Sequence, residues 1–306
     1  MANQVLPPSG CATTDQAHAT SCVRLGDIEI FYRSFGKAGG VPVLIAHGMS
    51  YFSYDWIGIA TALATDRQVV ALDQRGFGNS GWSANQDYAI TVFADDMIKL
   101  LDHLQWNRVI LIGHSMGGRN SAYCAAHNPD RVAALVLVDW SPKTAPEGSE
   151  RVRAQNSGLP DAFETVDDAI AYFMDDLAMR HEPAIRARFE EFLRPVDGGF
   201  AIKRDTFFRD QSRAAVAAGR APGMVSDRNR VDLWDVLRRI ECPTLVLRGR
   251  QSDMFAADTV VDVQAANPSL ELVEIDSGHN VAIDNPEALI SAAGSFIADI
   301  QEETLS

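Results

Sequence analysis

Apolar and polar residues alternate along "CVRLGDIEIFYRSFG" (Cys22–Gly36) and break at Gly26-Asp27, the pattern of a β-hairpin. "PVLIAHG" (Pro42–Gly48) is instead a continuous apolar run, as expected of a strand covered on both faces. "WIGIATALAT" then predicts a helix and "QVVAL" a strand, while Phe93, Met97, Leu100, Leu101 and Leu104 recur at helical spacing within Thr91–Leu104. Val109–Ile112 predict a second buried strand, Asn120–His127 a helix stopped by Pro129, and "AALVLVD" a further strand. The alternation returns late in the chain with "PTLVLRG", a helix over Thr259–Ala266, "LELVEID", and a last helix capped by Asn285 with Pro286 in its first turn.

A hairpin followed by this β-α order predicts an α/β fold with one mostly parallel, doubly wound sheet. Between Ser141 and Val236 the strand-like runs vanish. Charged helical segments take their place: "DDAIAYFMDDLAMR", "AIRARFEEFLR" and "RDTFFRDQSRAAVAAG". The expected organisation is a mobile N-terminal arm over 1–20, a core over 21–140 and 237–306, and an all-helical lid over 141–236.

The junction "GHSMGG" carries the candidate chemistry. A strand that enters a helix through a one-residue corner needs backbone angles that a Cβ penalises, and strained positions concentrate at functional sites. Small residues on either side, Gly113 and Gly117, let strand and helix approach. Ser115 then projects from the corner, and the Met116 amide opens a helix N-terminus that favours negative charge. Taken alone the stretch could be a glycine-rich turn, but G-x-S-x-G is also the spacing of a nucleophile elbow. A serine hydroxyl needs a base, and the base an orienting acid. "RGRQSD" and "DSGHN" follow two late strands at the sheet edge where ligands bind, which nominates Asp253 as acid and His279 as base. Met49, in "AHGMS", is expected to pair its backbone amide with that of Met116 as an oxyanion hole. His47 reads as a brace for that loop and His114 as packing. His18 falls in the arm, and His103, His127 and His181 on helices.

Composition narrows the classes. The 306 residues carry a formal charge of −14, which disfavours nucleic acid and anionic membranes as partners. No apolar run reaches the roughly 18 residues of a membrane span, and the first residues lack the basic start and apolar middle of a secretory signal. Cys11, Cys22, Cys124 and Cys242 are scattered without metal-ligand spacing, as expected of reduced thiols in a cytoplasmic protein.

With "HGMS", "LDQRGFGNSG", "GHSMGG", "RGRQSD" and "SGHN" in this order, the sequence resembles the α/β-hydrolase fold superfamily from about Ser21 to Ile300. The resemblance implies a serine hydrolase acting on a small carboxylic ester or lactone, with no metal and no organic cofactor. The "DQRGFGNS" turn is expected to be structural, and Asp139, at the end of "ALVLVD", occupies a position that some relatives use for the acid, which makes it the alternative to Asp253. Amide cleavage or carbon–carbon cleavage of a vinylogous diketone would use the same residues, although Asn280 stands where carbon–carbon hydrolases of the superfamily commonly carry Trp. A ligand sensor without turnover is a third reading. A small-molecule substrate of apolar character is expected, walled by Trp140, Phe173 and Trp234, with Phe163, Tyr172, Met174, Phe207, Phe208 and Met224 as further candidates. Arg194, Lys203 and Arg209 are candidates to meet a substrate carboxylate.

Overall fold

The continuous apolar runs form the centre of a sheet because both of its faces are covered. The computed structural model describes residues 14–15, 18–174, 182–219 and 231–300. Among them, the strands are β1 (Thr14–Asp15), β2 (His18–Leu25), β3 (Ile28–Phe35), β4 (Val43–Ala46), β5 (Val69–Leu72), β6 (Val109–His114), β7 (Val132–Val138), β8 (Leu193–Val196), β9 (Gly199–Ile202), β10 (Thr244–Gly249) and β11 (Glu271–Ile275). Nine of these form one sheet in the order β1-β2-β3-β5-β4-β6-β7-β10-β11. From β5 to β11 the neighbours are parallel; β1, β2 and β3 add an antiparallel edge.

The helices are α1 (Ile57–Leu63), α2 (Ile90–Leu104), α3 (Met116–His127), α4 (Pro146–Gly158), α5 (Val166–Phe173), α6 (Pro183–Phe192), α7 (Thr206–Ala217), α8 (Leu233–Arg238), α9 (Thr259–Ala266), α10 (Val281–Asp284) and α11 (Pro286–Ala298). Strand side chains alternate between two apolar layers. Leu111 faces Met97, Leu101 and Ala122 of α2 and α3, whereas Ile110 and Ile112 share a layer with Leu289 and Ala293 of α11. Each fully buried side chain of this kind contributes about 1.5–3 kcal/mol. α11 starts as its sequence predicts, with Asn285 Oδ1 accepting from the Ala288 amide at 3.1 Å. The "DQRGFGNS" turn is tied down from within. Asp73 accepts from the Ser53 and Asn79 amides, and Arg75 forms a buried two-pronged pair with Asp96 at 2.5 and 2.7 Å.

Three expectations need correction. The segment after Ser141 is not all-helical, because "LRPVDGGFAI" folds as the hairpin β8–β9. Asp197-Gly198 supplies its turn, Gly198 lies at φ +82°, and Leu193 and Ile202 bury among Phe163, Phe189 and Phe192. The arm does not extend to residue 20: Ala19 and Thr20 already pair with β3, and Thr14–Asp15 pair with His18 and Ala19 of β2. The lid boundary at 236 falls inside α8, whose Val236 and Leu237 pack in the core layer beneath α3. His181, Met224, Cys11 and the end of "DDAIAYFMDDLAMR" lie outside the described residues.

The cap is sewn to the core along two seams. Phe77 and Arg204 form a β-bridge, flanked by bonds from the Gly78 amide to Lys203 O (2.7 Å) and the Asp205 amide to Gly76 O (2.8 Å). On the other side, the Ala145 and Gly148 amides donate to Met254 O and Asp253 O at 2.9 and 3.0 Å. No helix among the described residues is long and apolar enough to cross a membrane.

Candidate active site

β6 runs into α3 through Ser115, held at φ +51° and ψ −113°. The flanking glycines explain how this corner closes. A Cβ on Gly117 would lie 2.1 Å from the Ala46 carbonyl oxygen, and one on Gly113 would lie 2.5 Å from the Gly117 oxygen. The corner costs about 1–3 kcal/mol of backbone strain and aims the hydroxyl away from the sheet. Ser115 is the half-buried member of an otherwise buried junction, at the wall of a cavity of about 1260 Å³ between core and cap.

His279 follows β11 and brings its Nε2 to 3.0 Å from Ser115 Oγ. Its Nδ1 lies 2.6 Å from an Asp139 carboxylate oxygen. An ionised carboxylate only accepts, so the shared proton resides on Nδ1 and the Nε2 lone pair faces the serine hydroxyl. Asp139 is fully buried at the end of β7, at φ +45°, a region Asp tolerates better than most residues. It also accepts from the Gly249 amide at 2.8 Å and from the Ser252 hydroxyl at 2.5 Å.

This corrects the expectation for Asp253. Its carboxylate turns away from His279 and grips the cap, accepting from Arg151 Nε and NH2 at 2.5 and 2.8 Å. The Arg151 hydrogen bonds hold the Asp253 carboxyl below its ordinary range. The "RGRQSD" loop therefore supplies donors to Asp139, through Gly249 and Ser252, and a carboxylate to the cap.

Met49 and Met116 both line the cavity beside Ser115, and among the described residues neither backbone amide has a hydrogen-bond acceptor. His47 is fully buried. It donates from Nδ1 to Gly48 O at 2.7 Å and accepts at Nε2 from the Gln74 amide at 3.0 Å; Gln74 in turn is held by Asn120. His114 donates from Nε2 to the His279 carbonyl at 2.9 Å, bracing that loop, and burial pushes its own pKa down to about 3. Neither Gln74 nor Asn120 announced itself in the sequence, where polar residues on a turn and a helix read as solvated.

Trp140 and Phe173 line the cavity, with Tyr172, Met174, Phe207 and Phe208. Trp234 does not; it packs against the core layer and a shallow outer groove with Lys143 and Arg238. Phe163 belongs to the cap's own core. The three cations expected to meet a substrate are occupied elsewhere or absent from the cavity wall. Arg194 lies over the Trp82 ring at 5.0 Å, Arg209 bonds to Asp161 and Asp210, and Lys203 is half-buried at the seam. Among the described residues no group of three or more His, Cys, Asp or Glu could hold a metal ion.

Comparison with known proteins agrees with this architecture. The family profile for the alpha/beta hydrolase fold matches residues 41–286. The chain is similar to the 3-hydroxybutyrate-oligomer hydrolase of Cupriavidus necator, 33% identical over 279 residues that span 87% of this chain and 91% of that protein. It is also similar to the 2-(acetamidomethylene)succinate hydrolase of Mesorhizobium japonicum, 30% identical over 90% of this chain and 94% of that protein. A crystal structure of E-2-(acetamidomethylene)succinate hydrolase superposes with a TM-score of 0.76 at 28% identity, covering 92% of this chain and 99% of the other. With its sheet, its elbow and its relatives in agreement, the chain belongs to the alpha/beta hydrolase fold family and is a hydrolase.

Proposed function

We propose that the protein cleaves a small carboxylic ester or lactone through an acyl-enzyme on Ser115. The observation that carries this reading is the single imidazole of His279, which reaches Ser115 Oγ at 3.0 Å on one side and Asp139 at 2.6 Å on the other. As the hydroxyl attacks the carbonyl carbon, His279 takes its proton, and Asp139 keeps the tautomer and steadies the imidazolium. The Met49 and Met116 amides receive the oxyanion; one such donor is typically worth about 10²–10³ in turnover. The tetrahedral adduct collapses as His279 protonates the leaving alcohol, and water activated by the same imidazole then releases the acid.

An ester bond is supported by the relative named as an oligomer hydrolase of 3-hydroxybutyrate, whose oligomers are joined by esters. A second reading, amide cleavage on the same residues, is favoured by the relative named for 2-(acetamidomethylene)succinate, a compound that carries an amide. Exposure to a fluorophosphonate, followed by intact mass and peptide mapping, tests the nucleophile. One adduct on the Ser115 peptide is expected, and Ser115→Ala should lower turnover by on the order of 10⁶. An unlabelled Ser115, or near-native turnover in the Ala variant, would refute the assignment. Matched esters, lactones and amides then distinguish the bond.

A further inference from the structure

Among the described residues five arginines stand at the cavity wall; Arg151 meets Asp253, Arg153 meets Glu150 and Arg188 meets Asp55, while Arg119 donates to the Asn120 side-chain oxygen. Arg204 differs. It is 7% exposed, its guanidinium donates to the Met49 carbonyl at 3.3 Å, and among the described residues no carboxylate pairs with it. The adjacent Asp205 spends its carboxylate on the Tyr88 hydroxyl and the Phe207 amide. Holding a cation out of water without a counter-charge is unfavourable, and an anionic group bound beside it would relieve that cost. Burial, and then repulsion from Arg209, lowers the Arg204 pKa to about 10, which leaves it charged at neutral pH.

The position of Arg204 is fixed by the backbone, not by the guanidinium. Its bridge to Phe77 and the bonds at Gly78–Lys203 and Asp205–Gly76 hold the chain on both sides. From that fixed backbone the buried side chain reaches the cavity wall, where its guanidinium is held at the Met49 carbonyl. Its geometry matches a carboxylate, which it can hold through two parallel N–H···O bonds. The carbonyl it touches belongs to Met49, whose amide faces the proposed oxyanion position, so an anion on Arg204 would sit near the scissile bond.

Resting on the serine-hydrolase reading, we propose that Arg204 binds a free carboxylate of the substrate, which makes the preferred substrate an anionic ester such as the monoester of a short dicarboxylic acid. The test compares monoethyl glutarate with neutral ethyl pentanoate, following acid release in a pH-stat, for wild type, Arg204→Met and Arg204→Lys. Wild type should favour the anionic ester by at least about tenfold in kcat/KM. Arg204→Met should lose on the order of 10–10² on that ester, chiefly through KM, and less than about threefold on the neutral one. Arg204→Lys should recover part of the loss. Equal losses on both esters would assign Arg204 to latching the Met49 loop or to the oxyanion itself, and a wild type without preference would also overturn the proposal.

Calorimetric titration of the wild-type protein with glutarate and with glutaramide gives a reading independent of turnover and of how Arg204→Met folds. Binding of glutarate alone, weakened in Arg204→Lys, is expected. Equal binding of both, or of neither, counts against an anion site. If neither ester is cleaved and Ser115 resists labelling, the serine reading falls, while the glutarate titration still decides the fate of Arg204.

Discussion

Two aspartates end loops on the same rim of the sheet, and only one faces the imidazole. Ser115 and His279 were legible because each carries a local signature: glycines around a corner, and a histidine after a late strand. The acid was not. Asp253 lies in a loop of the expected kind, but its partner Arg151 is 102 positions away, and no local pattern records that it is already engaged. Asp139 was a candidate only through the resemblance, as a position that some relatives use for the acid, whereas its burial, its φ of +45° and its donors Gly249 and Ser252 all come from the folded chain. Asp139→Asn is therefore expected to lower kcat by about 10⁴ by releasing the wrong tautomer. Asp253→Asn should leave kcat within a few fold, since it removes a half-exposed ion pair worth at most about 1 kcal/mol. Steady-state kinetics of the two variants decide this, and the opposite ranking would return the role to Asp253. Arg204 was illegible for a similar reason: in a charged segment every arginine looks solvated.

At the scale of elements, the core strands and helices followed their apolar periodicity closely, while the cap did not. Helix α4 was missed because "PEGSERVRAQNSG" has no apolar stripe; it is held by Gly148 pressed against the Asp253 loop, where a Cβ would lie 2.4 Å from the Asp253 oxygen. The elbow offers a sharper test of close approach. In Gly117→Ala the new methyl would meet the Ala46 and His47 carbonyl oxygens at 2.1 and 2.7 Å, and neither backbone atom can yield. We expect a loss of stability beyond the usual 1–3 kcal/mol of overpacking, together with lost activity as the Met49 and Met116 amides separate. Gly58→Ala, in α1 with nothing within 4 Å, should be neutral or stabilising by up to about 1 kcal/mol. Urea denaturation of both variants measures the contrast.

For the molecule as a whole, the two apolar layers and the doubly wound order were readable from the sequence, but the coupling of buried histidines to folding was not. Burial lowers the pKa of His114 from 6.5 to about 3 and lowers that of His47 as well. Between those values the unfolded chain binds a proton at His114 that the folded chain does not. Stability therefore rises with pH across this window and is lost as pH falls below about 6.5, by up to roughly 1.4 kcal/mol per pH unit for each such group. His114→Asn should flatten this slope by about one proton between pH 5 and 6.5, measured as unfolding free energy against pH. An unchanged slope would mean that His114 is protonated in the folded state.

The paired seams at 76–78 with 203–205, and at 145–148 with 253–254, have a kinetic consequence. A roof pinned along both of these eaves is not expected to swing open as one leaf, so ligand should pass by local movement at the rim. Turnover should then be nearly indifferent to solvent viscosity. A kcat that falls in proportion to added sucrose would show that the whole roof lifts in every cycle.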